Sequence, residues 1–428
     1  MHISLDSALG RQRRLNQIGE TITSIATPSA AYSLRSLTGG DPLAVRVRRS
    51  SNDASAEKDF TVSEINSGAL LNHINEDVVT EQSDFTSGVD GYSKDSHGSV
   101  SREASFEGKS DVLNYFHTGG RFGFRKTTVA LERTSSYTIT FEYYADSLHN
   151  GKVWGVENAF ANRTTLASNT PTVVSGAWTS VTLNVPGGRT TGAQYLVLRI
   201  QADAAAKYGE TGDTNVRVKN IVVTQTTGSG FVTTWYDQSG NGNNATQTDT
   251  DKQPAIASNG SLFADGIDFD GSDDSLSSSS GFNFTSSDDL SVFSISNPDS
   301  ASGQNPIVSQ SDGTGTGRSF IETGSTINTF IGGSEQNFGS ASASQSIITL
   351  IYDDSANTLD AFKNGSQSGS QKTSITAEAA SGVLNIGKNK AGSQFFDGKI
   401  SEVIIYLSDQ TDNRGSLETN INSYYSIF

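Results

Sequence analysis

Apolar residues in this chain recur mostly at every second position, in short bursts. Ser136–Asp146 sets Tyr137, Ile139, Phe141 and Tyr143 against Thr138, Thr140, Glu142 and Tyr144. Leu43–Arg48 alternates apolar with basic residues after the turn Gly39-Gly40-Asp41-Pro42. Alternation of this kind marks a half-buried β-strand. Further strands are predicted at 178–186, 194–202, 215–225, 231–236, 266–269, 290–296, 318–322, 326–331, 346–352, 358–363, 383–387 and 399–407. Asn364-Gly365 is a two-residue hairpin signal, because both residues tolerate positive φ.

Helical spacing is confined to the two ends. Leu15, Ile18, Ile22 and Ile25 form an apolar stripe, extended upstream by Leu5 and Ala8, with Ser4 or Asp6 as cap and Pro28 as stop. One helix over 4–26 is therefore predicted. It is too short to be stable alone, so the stripe must pack on its own domain, on copies of itself, or on a larger assembly. Arg414–Ser426 predicts a terminal helix packing Leu417, Ile421 and Tyr424.

Composition narrows the picture. With 428 residues the chain can hold two or three cores, and its aromatics are spread along its length, which argues for a folded β-rich protein. There is no cysteine, so disulfides and thiolate-bound metals are excluded. The net charge of −16 is uneven: residues 1–50 carry seven Arg against Asp6, Glu20 and Asp41, and the remainder is strongly acidic. An acidic body excludes nucleic acid as the main partner, while the basic segment can dock on an acidic protein surface. No apolar run suits membrane insertion, and the first residues lack the hydrophobic core of an export signal.

Three segments resemble the catalytic-domain family of arabinofuranosidase B, a concanavalin/laminin-G-like jelly roll: Ala31–Thr61 (AYSLRSL…VRVRRSS), Phe231–Gln247 (with WYDQSGNGNNATQ) and Phe395–Phe428. Asp268–Leu276 (DFDGSDDSL) is similar to that family's turn into its next strand. Between them, Gly88–Ser93 (GVDGYS), SYTITFEYYAD and Gly176–Val185 (GAWTSVTLNV) resemble jelly-roll carbohydrate-binding modules of the xylanase-associated type. The resemblances imply an all-β chain of two β-sandwich jelly rolls, one inserted in the other, preceded by a short amino-terminal helix. The expected divisions are a docking segment 1–30, a discontinuous host 31–76 and 229–428, and a guest 77–228.

Retaining furanosidases need two carboxyl groups, a nucleophile and an acid/base. The resemblance places the nucleophile in Pro306–Ser311, which holds no Glu, and the acid/base after Ile386-Gly387, where Lys388-Asn389 stands. Asparagine cannot give and recover a proton, so no catalytic residue is assigned and the chain is expected not to be an enzyme. Glu322, Asp312, Asp397 and Glu402 are the carboxylates that could substitute; each otherwise fits a solvated sheet face or a turn. The five histidines show no zinc spacing. Asp268–Ser279 begins like a calcium loop but ends on Ser279, which leaves Asp268, Asp270 and Asp273 as calcium candidates beside an ordinary turn role, and no other cofactor.

Sugar binding needs aromatic faces flanked by hydrogen-bonding groups. Trp235 lies in an apolar strand and Trp178 opens an alternating one, so both are expected in cores. Trp154, between glycines and polar residues, is the expected platform, with Tyr92, Tyr144 and Arg199 beside it. Versions of this domain with a similar leading helix resemble bacteriophage tail and fibre proteins. The expected function is therefore a virion structural protein (fibre, tail or capsid decoration). It would be made in the host cytoplasm and display lectin-like domains for weak binding to cell-surface glycans. Leu15, Ile18, Ile22 and Ile25 would dock it to other virion proteins or assemble it, with a trimer favoured. The alternative is a glycoside hydrolase or depolymerase with an attached binding module.

Overall fold

The computed structural model describes residues 20–50, 57–94, 99–117, 123–131, 135–145, 153–157, 165–169, 176–187, 195–201, 214–282, 284–311, 317–332, 334–377 and 382–428. The protein is an all-β chain, and its strands form two separate bodies. Those from Ala30–Ser33 to Glu57–Thr61 and from Gly230–Trp235 to Asp397–Tyr406 build one body, and those from Val78–Ser83 to Thr214–Gln225 build the other.

The first body is a two-layered antiparallel jelly roll. Asp397–Tyr406 runs through the middle of one layer, pairing with Leu290–Pro298 on one side and with Ala30–Ser33 and Ile267–Asp270 on the other. Ser346–Asp353 and Thr358–Lys363 extend that layer beyond Leu290–Pro298. The opposite layer runs from Leu43–Arg49 through Gly230–Trp235, Ala245–Thr246, Leu276–Gly281, Val383–Ile386 and Asn305–Ser311 to Gly317–Thr323. Trp235, Phe269, Ile307, Phe320 and Phe396 fill the space between the layers.

The first layer is also covered outside. Helix Arg414–Tyr425 presses Leu417 and Ile421 onto Phe293, Ile347, Ile404 and Tyr406. Burial on both faces explains why Leu290–Pro298 and Ser346–Asp353 show almost no exposed position. It also encloses charge. Arg35 Nε and Nη2 each donate at 2.8 Å to Glu402, Ser33 Oγ donates to the same carboxylate at 2.7 Å, and Arg35 Nη1 donates to Asn420 at 2.8 Å.

The WYDQSG run closes the body on itself. Gln238 Nε2 donates to Ser33 O at 2.9 Å and Arg35 O at 3.0 Å, and its Oε1 accepts from Leu37 N at 2.9 Å. Asp237 accepts from Ala31 N and Asn243 N, both at 2.9 Å. The bonds to Ala31, Ser33, Arg35 and Leu37 join segments about 200 residues apart in sequence.

The second body is a sandwich. One sheet orders Thr165–Asn169, Val153–Glu157, Tyr195–Gln201, Gly123–Ala130 and Ser93–Lys94. The other orders Ala177–Val185, Tyr137–Ala145, Thr214–Gln225, Lys109–His117 and Ser99–Phe106, with Val78–Ser83 on the far half of Thr214–Gln225. Leu113, Tyr115, Ile139, Phe141, Val181, Leu183, Val216 and Val218 lie in its core.

One expectation about the elements needs correction. A continuous helix over 4–26 does not exist: Glu20 and Thr21 are not helical, and Thr21 caps a short helix Ile22–Ile25. Ile22 is fully buried beside Leu417 and Ile421, with Ile25 packed against the same cluster, so their apolar surface is used within the chain rather than for docking. Leu15 and Ile18 lie outside the described residues. Two short helices, Val62–Asn66 and Ala69–Ile74, follow strand Glu57–Thr61, the first opened by a Thr61–Glu64 capping box. The serines 277–280 lie within strand Leu276–Gly281, where Ser278 Oγ accepts from Leu384 N at 3.0 Å.

Among the described residues no helix is long and apolar enough to cross a membrane.

Candidate functional site

The guest sheet containing Tyr137–Ala145 sends its odd-numbered residues Tyr137, Ile139, Phe141 and Tyr143 into the core. Its even-numbered residues face out, and there register aligns a row. Trp178 pairs with Tyr144, Tyr144 with Arg217, Arg217 with Asn114, and Asn114 with Ser101, so the row crosses five strands on one face.

The side chains of this row touch. The Tyr144 and Trp178 rings meet edge-on at 5.7 Å, and Phe106 meets Tyr144 edge-on at 4.9 Å. Arg217 lies 3.7 Å from the Phe106 ring centroid and pairs with Glu103 at 2.9 Å. Asn114 Nδ2 donates to the same Glu103 at 2.9 Å. Lys109 stands over the Trp178 ring at 5.6 Å and pairs with Glu142. Phe106, Tyr144, Trp178 and Arg217 are all partly exposed. Three aromatic rings edged by an Arg, a Lys, two Glu and an amide make a surface that can stack on sugar rings and hydrogen-bond their hydroxyls.

Only Tyr144 of the expected binding residues is in this constellation. Tyr92 is a core residue, 3% exposed and edge-on to Phe85 at 5.8 Å, so it cannot meet a ligand. Trp154 and Arg199 belong to the other guest sheet, where Trp154 pairs with Ile200 and Gly155 with Arg199; their side chains lie outside what is described. Trp178 is not in the core. It shares the parity of Ser180, Thr182 and Asn184, all exposed, while Val181, Leu183 and Val185 are buried. That parity was readable from the sequence. Phe106 was not, because positive φ at Glu107, Gly108 and Asp111 turns the hairpin and shifts its alternation. Trp235, by contrast, is fully buried in the host core.

The segments that the sequence resemblance set against the furanosidase carboxylates are Pro306–Ser311 and the turn at Asn389. Ser309 and Gln310 are fully buried, with Ser309 Oγ donating to Lys388 O at 2.8 Å. Asn389 is spent on its own loop, donating to Gln394 Oε1 at 2.7 Å and accepting from Ser393 N at 3.1 Å. Of the possible substitutes, Glu402 is the structural partner of Arg35, and Asp312 lies outside the described residues. Glu322 is 3% exposed, and burial raises its carboxyl above the usual range.

The acidic turn regroups. Asp270 Oδ1 accepts from Ser272 N at 2.8 Å, the expected turn chemistry. The carboxylates that converge, within 4.8 Å of one another, are Asp270, Asp273 and Asp274, whereas Asp268 pairs with Lys399 at 3.0 Å. Burial, reinforced by Asp270, pushes Asp274 up to about 7. A carboxyl whose folded pKa is raised binds more protons folded than unfolded, so stability falls as pH rises from its unfolded value near 4 to about 7. Asp274→Asn should therefore melt with the wild type near pH 4 and higher than it at pH 8, by scanning calorimetry. Coincident melting at both pH values counts against the assignment. Added calcium should raise the wild-type melting temperature at pH 8 if these carboxylates take the ion.

No curated protein matches the chain. Among solved structures, the Ruminococcus gnavus IT-sialidase CBM40 bound to α2,3-sialyllactose is 12% identical, covers 36% of this chain and 95% of its own, and has a TM-score of 0.29. The CBM22-2 xylan-binding domain from Paenibacillus barcinonensis Xyn10C is 18% identical, with coverages of 34% and 99% and a TM-score of 0.26. Residues 270–412, within the host jelly roll, match the laminin-G-type family model described as the concanavalin A-like lectin/glucanases superfamily.

Proposed function

We propose that this protein is a glycan-binding display protein, in which the host jelly roll carries a guest sandwich that meets saccharides on its Trp178–Tyr144–Phe106 face. The observation that carries this reading is the row of partly exposed aromatic and polar side chains across five strands. The lectin-type family match of the host agrees with it. In this reading the protein binds without hydrolysing, because neither Pro306–Ser311 nor Asn389 supplies a carboxyl group.

Trp178→Ala removes the largest ring from the face without touching the core. It should weaken binding on a glycan array by about tenfold, since stacking on one aromatic contributes on the order of 1 kcal/mol or more. Unchanged binding, with the melting temperature preserved, disposes of the face. Turnover of any glycan in the same panel would overturn the non-hydrolytic part.

The finer reading is a virion fibre, tail or decoration subunit, made in the host cytoplasm. It would be held to other virion proteins by its amino-terminal segment and present these faces as a trimer, so that several weak contacts add. It rests on the resemblance of the leading segment and jelly roll to phage tail and fibre proteins. Purified virions lacking the chain by mass spectrometry would rule it out.

A further inference from the structure

The host jelly roll contains a cleft of about 610 Å³, remote in sequence from the guest face. Its walls come from three strands and a loop: Ser277, Ser311, Asn385, and Lys388 to Gly392. This volume suits one or two sugar units rather than a lone inorganic ion. Among the described residues, no carboxylate lines it.

The loop is held rigidly. Lys388 bridges to Phe395, Asn389 N donates to Gln394 O at 3.0 Å, and the Asn389 side chain closes on Ser393 and Gln394. Asn389 is thus a loop staple, and the residues on either side of it, Lys388 and Lys390, both line the cleft.

Lys388 is half-buried and makes no ion pair among the described residues. Burial, with Lys252 nearby adding repulsion, lowers its pKa. A cation taken partly out of water without a counter-charge is costly unless something anionic completes it. Lys390 rests over Phe330 at 4.6 Å, with buried Glu322 as its neighbouring acid. At the back, Asn385 Oδ1 accepts from Ser277 Oγ at 2.8 Å and its Nδ2 donates to Val383 O at 3.4 Å, so this buried amide braces the wall.

We propose that this cleft binds an anionic saccharide unit, a uronate carboxylate or a sugar sulfate, with Lys388 as the principal anion ligand and Lys390 beside it. Where a hydrolytic relative would present carboxylates, this cleft presents ammonium groups, so it holds an acidic sugar rather than cleaving a neutral one. With no aromatic ring among the described lining residues, charge-assisted hydrogen bonds dominate and binding weakens as salt rises.

The test uses the full chain in isothermal titration calorimetry with tetragalacturonate, a heparin tetrasaccharide and a neutral galactotetraose. At least one anionic ligand should bind about tenfold or more tightly than the neutral one, the stronger of the two identifying carboxylate or sulfate as the source. Lys388→Gln should lose that preference by about tenfold while its melting temperature does not fall, because a desolvated charge has been removed. Trp178→Ala should leave the preference intact, which separates this site from the guest face. Equal binding of neutral and anionic ligands, no binding of either anionic ligand, or full binding by Lys388→Gln overturns the proposal. Inorganic sulfate competing as tightly as the oligosaccharide would overturn it too, reducing the cleft to an ion site.

Discussion

Glu402→Ala should lower the melting temperature of the host jelly roll by on the order of 10 °C, the largest effect expected from any single substitution described above. Both partners of the Arg35–Glu402 pair are buried, with side-chain exposures of 2% and 0%. Glu402 also accepts from Ser33 Oγ and, at 3.2 Å, from Tyr425 Oη. Removing the carboxylate leaves a guanidinium in a layer covered on both faces, with only Asn420 and the Tyr424 and Tyr425 rings for company. Breaking a buried pair from one side costs about 3–5 kcal/mol, far more than the pair itself contributes. The double change Arg35→Met with Glu402→Leu should therefore recover most of the loss. Calorimetry should show the host transition moving while the guest transition stays, since no guest residue touches this network among the described contacts. A double variant no better than Glu402→Ala would show that hydrogen-bond geometry, not the stranded charge, sets the cost.

Gln238→Leu is the second large effect. The substitution nearly preserves volume, so it isolates the polar contribution. The amide bonds two carbonyls and one amide of the Ser33–Leu37 segment, at 2.9 to 3.0 Å, and is 5% exposed. Three backbone groups would be left buried and unmet, each costing about 1–3 kcal/mol. Because Ser33 and Arg35 belong to the same segment as the Glu402 network, the two changes should be strongly non-additive in a double-mutant cycle. Gln238→Leu melting within a degree or so of wild type would mean that the segment is held by Asp237 and its strand pairing alone.

Alternation placed much of this architecture in advance. Strands such as Ser346–Asp353 and Thr358–Lys363, with the hairpin at Asn364-Gly365, follow from residue pattern and from the φ > 0 tolerance of two residues (51° and 78°). The terminal helix follows from the spacing of Leu417 and Ile421. The serine-rich strand Leu276–Gly281 was hidden, because its stability lies in neighbours on both sides rather than in its own side chains. The leading stripe misled for a related reason: Ile22 belongs to a cluster completed by residues near 290, 350, 404 and 420, none of which local periodicity can announce.

The sequence by itself determined the period of the elements, the absence of cysteine chemistry and the face on which Tyr144 stands, since these depend only on residue type and parity. Tertiary structure decided which exposed groups meet. Register across five strands brought Trp178, Tyr144 and Arg217 into one row, a turn with positive φ added Phe106, and burial removed Tyr92. Packing also converted Asn389 into a loop staple and left Lys388 half-buried without a counter-charge among the described residues. The physical reason is common to all of these. Local pattern specifies which way a side chain points, whereas its neighbours, its dielectric surroundings and its counter-charge come from strands distant in sequence.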